Sequence, residues 1–179
     1  MKRVRNIVCF CFFSMFLLTG CSAKQYEVKE ITEQSGEVFQ IGHLTLEVKE
    51  EEIREEIKPD NPQGYYNYYK KEEGYYYHLL YGTLKNEGEE TVNVNEIRVQ
   101  GIVDKKQYPG KMVLINEIES YFWEEIKPGV ALDFYIFSIV EDGKKDPTEY
   151  HFYYDEDGKT EKEQKSFDYK VEYQMSEEA

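Results

Sequence analysis

The side chains that most often carry chemistry are few here and widely spaced. Three histidines, His43, His78 and His151, each fall in a stretch of strand-like composition, and three imidazoles facing one another would offer a zinc site. No two of them stand at a metal-ligand spacing, so a metal-dependent enzyme is the remotest reading. Asp155-Glu156-Asp157-Gly158 opens like a calcium loop, but the bidentate Glu such a loop needs is not framed by further ligands, and the tetrad reads as a hairpin turn. Acyl transfer would need a Ser, Thr or Cys beside a base, and no Gly-x-Ser-x-Gly occurs. No catalytic residue, metal or cofactor is expected. The side chains left over are aromatic. Eight tyrosines crowd residues 64–82, of which Tyr65, Tyr66, Tyr68 and Tyr69 precede a strand-like half, and Trp123 follows Tyr121 and Phe122. Tyrosine and tryptophan present large rigid faces with a polar edge, which suits protein interfaces and sugar stacking alike.

The three cysteines sort themselves by position. Lys2, Arg3 and Arg5 precede the apolar run of residues 7–18, which contains Cys9 and Cys11, and then come Leu18-Thr19-Gly20-Cys21. A basic start, a short apolar run and small residues are the parts of a secretory leader. A helix over the run would reach about 18 Å at ~1.5 Å per residue, short of the ~30 Å hydrocarbon layer, so a permanent span is not expected. Leu18-Thr19-Gly20-Cys21 resembles the lipobox of bacterial lipoproteins. The resemblance implies cleavage between Gly20 and Cys21 and a diacylglyceryl group on the Cys21 thiol. Two acyl chains anchor stably where one binds only marginally. Cys9 and Cys11 would leave with the leader, so neither a disulfide nor thiol catalysis is expected.

Composition narrows the partners. The chain of 179 residues holds 36 Asp+Glu against 22 Lys+Arg, for a net charge of −14, and three of its basic residues lie in the leader, which has no acidic one. Phosphate backbones and anionic lipid surfaces both favour Lys and Arg, so nucleic acid is excluded and the membrane is met through the lipid alone. Aromatics at 16% are too many for a disordered chain, and the length after residue 20 suits one domain.

Residues 22–37 are polar without a sustained period and read, with Cys21, as a tether over 21–37. From there short apolar segments alternate with turn signals. Residues 38–49 read as a strand with a bulge at Gly42, where the apolar parity changes, and residues 50–58 as a helical turn, charged loop or edge strand. Residues 75–85 are a strand ending at Asn86-Glu87-Gly88; residues 91–104 are one or two strands with a bend at Asn95-Glu96. Pro109-Gly110 reads as a turn. Residues 130–140 are apolar on both parities, which predicts a central strand covered on both faces. Residues 149–154 and 166–173 make a terminal hairpin with Phe167, Tyr169, Val171 and Tyr173 on one face, and residues 175–179 form a frayed tail.

This pattern predicts an all-β antiparallel β-sandwich over residues 38–174. Leu84-Lys85-Asn86-Glu87-Gly88, Ile126-Lys127-Pro128-Gly129 and Phe134-Tyr135-Ile136-Phe137 are similar to motifs of the immunoglobulin-like domain of uncharacterised function common in bacterial lipoproteins. Asn86 is expected to bond its own backbone across the turn, Gly88 to take positive φ, and Pro128-Gly129 to turn into a buried strand. With the lipobox and the missing catalytic motifs, the reading is a lipid-anchored, extracytoplasmic domain that binds rather than catalyses, with another envelope protein as the expected partner. The alternative is a cell-wall glycan or small ligand on the tyrosines. Candidate binding residues are Tyr65, Tyr66, Tyr68, Tyr69 and Trp123.

Overall fold

The computed structural model describes residues 26–59, 68–70, 72–116, 121–156 and 166–175. Among them are strands β1 Glu27–Ser35, β2 Val38–Ile41, β3 Leu44–Arg54, β4 Tyr75–Asn86, β5 Val92–Asn93, β6 Arg98–Val103, β7 Lys106–Asn116, β8 Tyr121–Trp123, β9 Glu125–Ile126, β10 Ala131–Glu141, β11 Glu149–Tyr154 and β12 Ser166–Gln174. Among these residues no helix is long and apolar enough to cross a membrane.

A single hydrogen-bonded path runs β1-β12-β11-β6-β7-β10-β4-β3-β2, and it is folded in two at β7. The first half of β7 pairs with β6, ending at Val99 opposite Gly110; from Gly110 to Ile115 the same strand pairs with β10. One layer is therefore β3-β4-β10-β7 and the other β6-β11-β12, the strand order of an immunoglobulin sandwich, with β2 added beside β3 and β1 beside β12. Pairings are antiparallel except that of β1 with β12, which is parallel. The inward side chains of both layers meet in one core. Phe39 of β2 lies 5.2 Å from Phe152 of β11 and 4.5 Å from Tyr173 of β12, between ring centroids, and Leu80, Leu84, Phe134 and Ile136 complete it from the opposite layer.

Strand β10 is central, as its two apolar parities predicted. Phe134 and Ile136 enter the inner core, while Tyr135 and Phe137 join a second cluster on the outer face with Tyr77, Leu79, Val113 and Ile115. A sheet face this apolar needs a cover. It gets one from the chain that leaves β3 and returns to β4: Ile57 and Tyr69 exchange backbone N–H···O bonds of 2.9 Å each, which sets both side chains on the cluster.

Several expectations are corrected. The tether is not a tether over its whole length, because β1 occupies Glu27–Ser35. An edge strand half open on both faces needs no apolar alternation; β1 is held by its backbone ladder and by the Lys29 ion pair with Asp168. At its end the Gln34 amide bonds both the N–H and the carbonyl of Gln40, joining β1 to β2 across the sandwich edge. The sandwich thus begins at residue 27 rather than 38. Gly42 makes no bulge but the turn of the β2–β3 hairpin, at φ +56°, so that Phe39 faces Leu46 and Ile41 faces Leu44. Residues 50–54 extend β3. Pro109-Gly110 is not a turn; the chain turns instead at Asp104-Lys105, both at positive φ, as a two-residue hairpin requires. Gly110 marks the point where β7 changes layers, and a Cβ there would stand 2.9 Å from Val99 Cγ1 and 3.0 Å from the Phe137 carbonyl oxygen. Phe167 leaves the row of Val171 and Tyr173 to pack on Tyr26 and Tyr153. Met175, expected to fray, is tied to the Thr148 carbonyl. Residues 176–179, Gly20 and Cys21 lie outside the described residues.

Candidate functional site

Where β7 has left β6 and has not yet met β8, whose first pairing is Leu114 with Trp123, the layer has a notch. Three pieces of chain edge it. Residues Val94–Glu96 form a 3-10 turn capped by the Asn93 side chain, which accepts from Asn95 N at 3.0 Å; this is the bend expected at Asn95-Glu96. The turn is fixed to the β8–β9 segment by the Val94 N–H bond to the Glu124 carbonyl, 2.8 Å. Tyr68 and Tyr69 arrive from the strap. The resulting cleft of about 460 Å³ is lined by Tyr68, Tyr69, Asn95, Lys111, Phe122 and Trp123, among others.

The sequence-predicted residues divide here. Tyr68, Tyr69 and Trp123 come together around this cleft, although some fifty residues part Trp123 from the others; Tyr65 and Tyr66 lie outside the described residues. Tyr69 is half-buried, its ring 5.0 Å from Phe137 and 6.0 Å from Phe122. Tyr68 is exposed at the rim, 44% accessible. The second half of the tyrosine run is structural: Tyr77 is buried and donates from its hydroxyl to the Lys70 carbonyl at 2.6 Å.

Sequence reasoning missed the basic residues of the lining. Lys111 sets its ammonium 5.4 Å from the Tyr69 centroid, and a second cavity of about 520 Å³ adjoins the first, sharing Val94, Asn95 and Lys111 and running on to Tyr26, Arg98 and Tyr108. Arg98 lies 5.4 Å from the Tyr26 ring and 5.5 Å from that of Phe167. In a chain of net charge −14, the groove places two cations among its aromatic faces, which attract cations in their turn.

The histidines do not share a site. His78 is buried between the layers, Nδ1 2.7 Å from the Tyr150 hydroxyl and Nε2 2.8 Å from Glu51 Oε1. His43 sits in the β2–β3 turn, Nδ1 3.1 Å from Glu156 Oε1 and Nε2 3.3 Å from the Tyr154 hydroxyl. His151 bonds Glu149. Burial pushes the Tyr150 and Tyr154 hydroxyls well above the usual tyrosine range and that of Tyr153 up to about 12, so these groups stay protonated and act as hydrogen-bond donors.

The motifs behind the immunoglobulin-like resemblance converge on Asn86. Its Nδ2 donates to the carbonyls of Glu90 at 2.7 Å and Ile126 at 3.1 Å, and its Oδ1 accepts from Gly88 N at 2.9 Å. Its backbone bonds Val130 and Gly129. Gly129 takes positive φ, +71°. Gly88 does not; it is needed because a Cβ would stand 2.4 Å from the His43 ring.

The fold is a β-sandwich, and solved structures share it. The chain is similar to an uncharacterised β-sandwich protein from Clostridium difficile 630, at 16% identity over 86% of this chain and 97% of that one, with a TM-score of 0.54. Two Bacillus subtilis proteins are more distant in shape. YjhA matches at 15% identity over 79% of this chain and 99% of its own, TM-score 0.44. YcdA, provisionally described as a lipoprotein, matches at 14% over 78% of this chain and 39% of its own, TM-score 0.40. No family model and no curated protein sequence matches. The first of these likenesses shows the fold alone.

Proposed function

We infer that the chain is a lipid-anchored, extracytoplasmic binding module without catalytic activity, and that its partner, another envelope protein, docks in the groove at the β7 crossover. The observation that carries the reading is the convergence of Tyr68, Tyr69 and Trp123 on one cleft with Lys111 in its lining. Tyrosine, tryptophan and basic side chains in a partly desolvated cleft are the residue types that dominate binding energy at protein interfaces. The anchor rests on Leu18-Thr19-Gly20-Cys21. Sugar stacking is the second reading, favoured by the Tyr69 and Trp123 rings lining the same cleft.

A photoreactive residue at Tyr68, with Lys145 on the exposed β10–β11 turn as control, tests the site in cells. The expected result is one protein captured at Tyr68 alone and lost when Trp123→Ala and Lys111→Glu are combined. Capture unchanged by those substitutions, or saturable binding of cell-wall fragments that Tyr68→Ala abolishes, would replace the protein partner. The anchor is tested apart from this by Cys21→Ser and membrane fractionation, where the variant is expected to leave the membrane fraction.

A further inference from the structure

On the outward face of the β6-β11-β12 layer, beside the second cavity that Gln100 lines, three metal-ligating side chains stand together. His151 of β11 lies directly across from Glu172 of β12, and Glu149, two residues along the same strand, points to the same side. Donor atoms of Glu149, His151 and Glu172 all lie within 4.8 Å of one another. All three side chains are largely withdrawn from water, His151 most of all at 12% exposed.

We propose that Glu149, His151 and Glu172 bind a first-row divalent cation of the zinc type. Two buried atoms without partners make this more than a cluster of acids. The ring nitrogen that meets both carboxylates is His151 Nε2, so as a ligand it gives its lone pair and the ring proton sits on Nδ1. That nitrogen, Nδ1, is buried without a hydrogen-bond partner, and so is Oε1 of Gln100, the residue facing His151 from β6. Leaving such groups unsatisfied is costly. A cation on Nε2 makes Nδ1 a donor with the Gln100 oxygen as its acceptor, the outer-shell bond that metal-ligating histidines make.

The geometry is within reach. Ligands ~2.0–2.2 Å from zinc stand about 3.4 Å apart, so rotamer adjustments close the cluster, with water to complete the fourth position. One imidazole among the donors favours zinc and its late first-row neighbours over calcium and magnesium, which prefer oxygen throughout. The competitor is Lys170, whose ammonium bonds Glu172 and lies 5.7 Å from the Tyr153 ring. An incoming ion displaces it from the carboxylate.

The test is calorimetric titration of the full chain, purified in detergent, with Zn2+ alone and with Ca2+ alone. The expected result is one equivalent of Zn2+ bound at micromolar or lower concentration and persisting in a hundredfold excess of Ca2+. His151→Gln and Glu149→Gln, checked for folding by circular dichroism, weaken it at least tenfold, and His43→Gln leaves it unchanged. Lys170→Gln tightens it severalfold, a gain that misfolding cannot mimic. Equal binding of Ca2+, as a diffusely acidic surface would give, or Zn2+ binding indifferent to His151→Gln overturns the site, whatever becomes of the groove.

Discussion

The Asn86 turn and the β7 cleft are built from opposite materials. At Asn86 a polar side chain is wholly buried and spends its amide on the backbone of its own turn and of β9, while its main chain bonds the Pro128-Gly129 turn. Such a group has nothing to offer a ligand, and everything near it depends on it. At the cleft, Tyr69 and Phe122 rest on the outer cluster and Trp123 on the inner core, all only partly buried, with Lys111 and Asn95 between them. Hydrogen-bond saturation marks a structural site and partly buried rings mark an available one. Substitutions should therefore trade stability against binding in opposite proportions at the two places.

The largest loss is expected beneath the cleft rather than in it. Phe137 is buried in the outer cluster against Tyr69 and Tyr77, and Phe137→Ala should cost about 3–5 kcal/mol, since truncating a buried ring loses transfer energy and leaves a cavity. Chemical denaturation measures it. Little loss would mean that the strap closes down on the gap, and the cleft would then be a pliable feature rather than a fixed one.

Asn86→Ala comes next, at about 1–3 kcal/mol, because it strands the buried Ile126 carbonyl without a donor and takes the bond from the part-buried Glu90 carbonyl. Asn86→Asp should not rescue it, since a carboxylate keeps the acceptor for Gly88 but has no donor for the two carbonyls. A rescue by Asp would show that the Gly88 bond carries the turn.

The contrast also decides what was legible in the sequence. The Asn86 turn could be read because its function is local: Asn, Gly and the Pro-Gly pair act on backbone within a few residues, and their types reveal it. The central strand was legible from its two apolar parities. Strand β1 was not, since its order comes from a parallel ladder with β12, more than a hundred residues on. Pro109-Gly110 misled because the same pair that makes a turn also suits a strand changing layers. Tyr68, Tyr69 and Trp123 were found by type, whereas Lys111 was not, because a lysine on a strand says nothing until a notch forms around it. Glu149-x-His151 carried the period of a strand face and passed unnoticed among so many acids.

A smaller effect is expected at the charged edge of the outer cluster. Arg54 lies over the Tyr135 ring at 4.7 Å and grips Glu52 with two bonds, Nε–Oε2 at 2.6 Å and Nη2–Oε1 at 3.1 Å. That guanidinium holds the Glu52 carboxyl below its usual range, against the opposing effect of burial. A depressed carboxylate contributes stability above its unfolded value of about 4.3 and loses it as the pH falls through the folded value. Because both side chains are partly solvated, the contribution is roughly 0.3–1 kcal/mol. Glu52→Gln should cost that much at pH 7 and progressively less as the pH falls through the folded value, so the two stability curves converge in acid. Parallel curves would mean that Arg54 is held by Tyr135 alone.

The smallest stability change should fall on the residue with the largest expected effect on binding. Tyr68 is exposed at the rim, with the Lys70 ammonium 5.6 Å from its ring, and exposed substitutions of this kind stay within about 0.5 kcal/mol. Tyr68→Ala should therefore leave the denaturation midpoint where it is while capture of the partner through a photoreactive residue at Tyr69 falls several-fold. Both outcomes are needed. A Tyr68→Ala protein that unfolds early would make the tyrosine a peg for the strap, in the manner of Tyr77. Unchanged capture would move the contact to Trp123 and Lys111, deeper in the notch, where Trp123→Ala would have to show the loss that Tyr68→Ala did not.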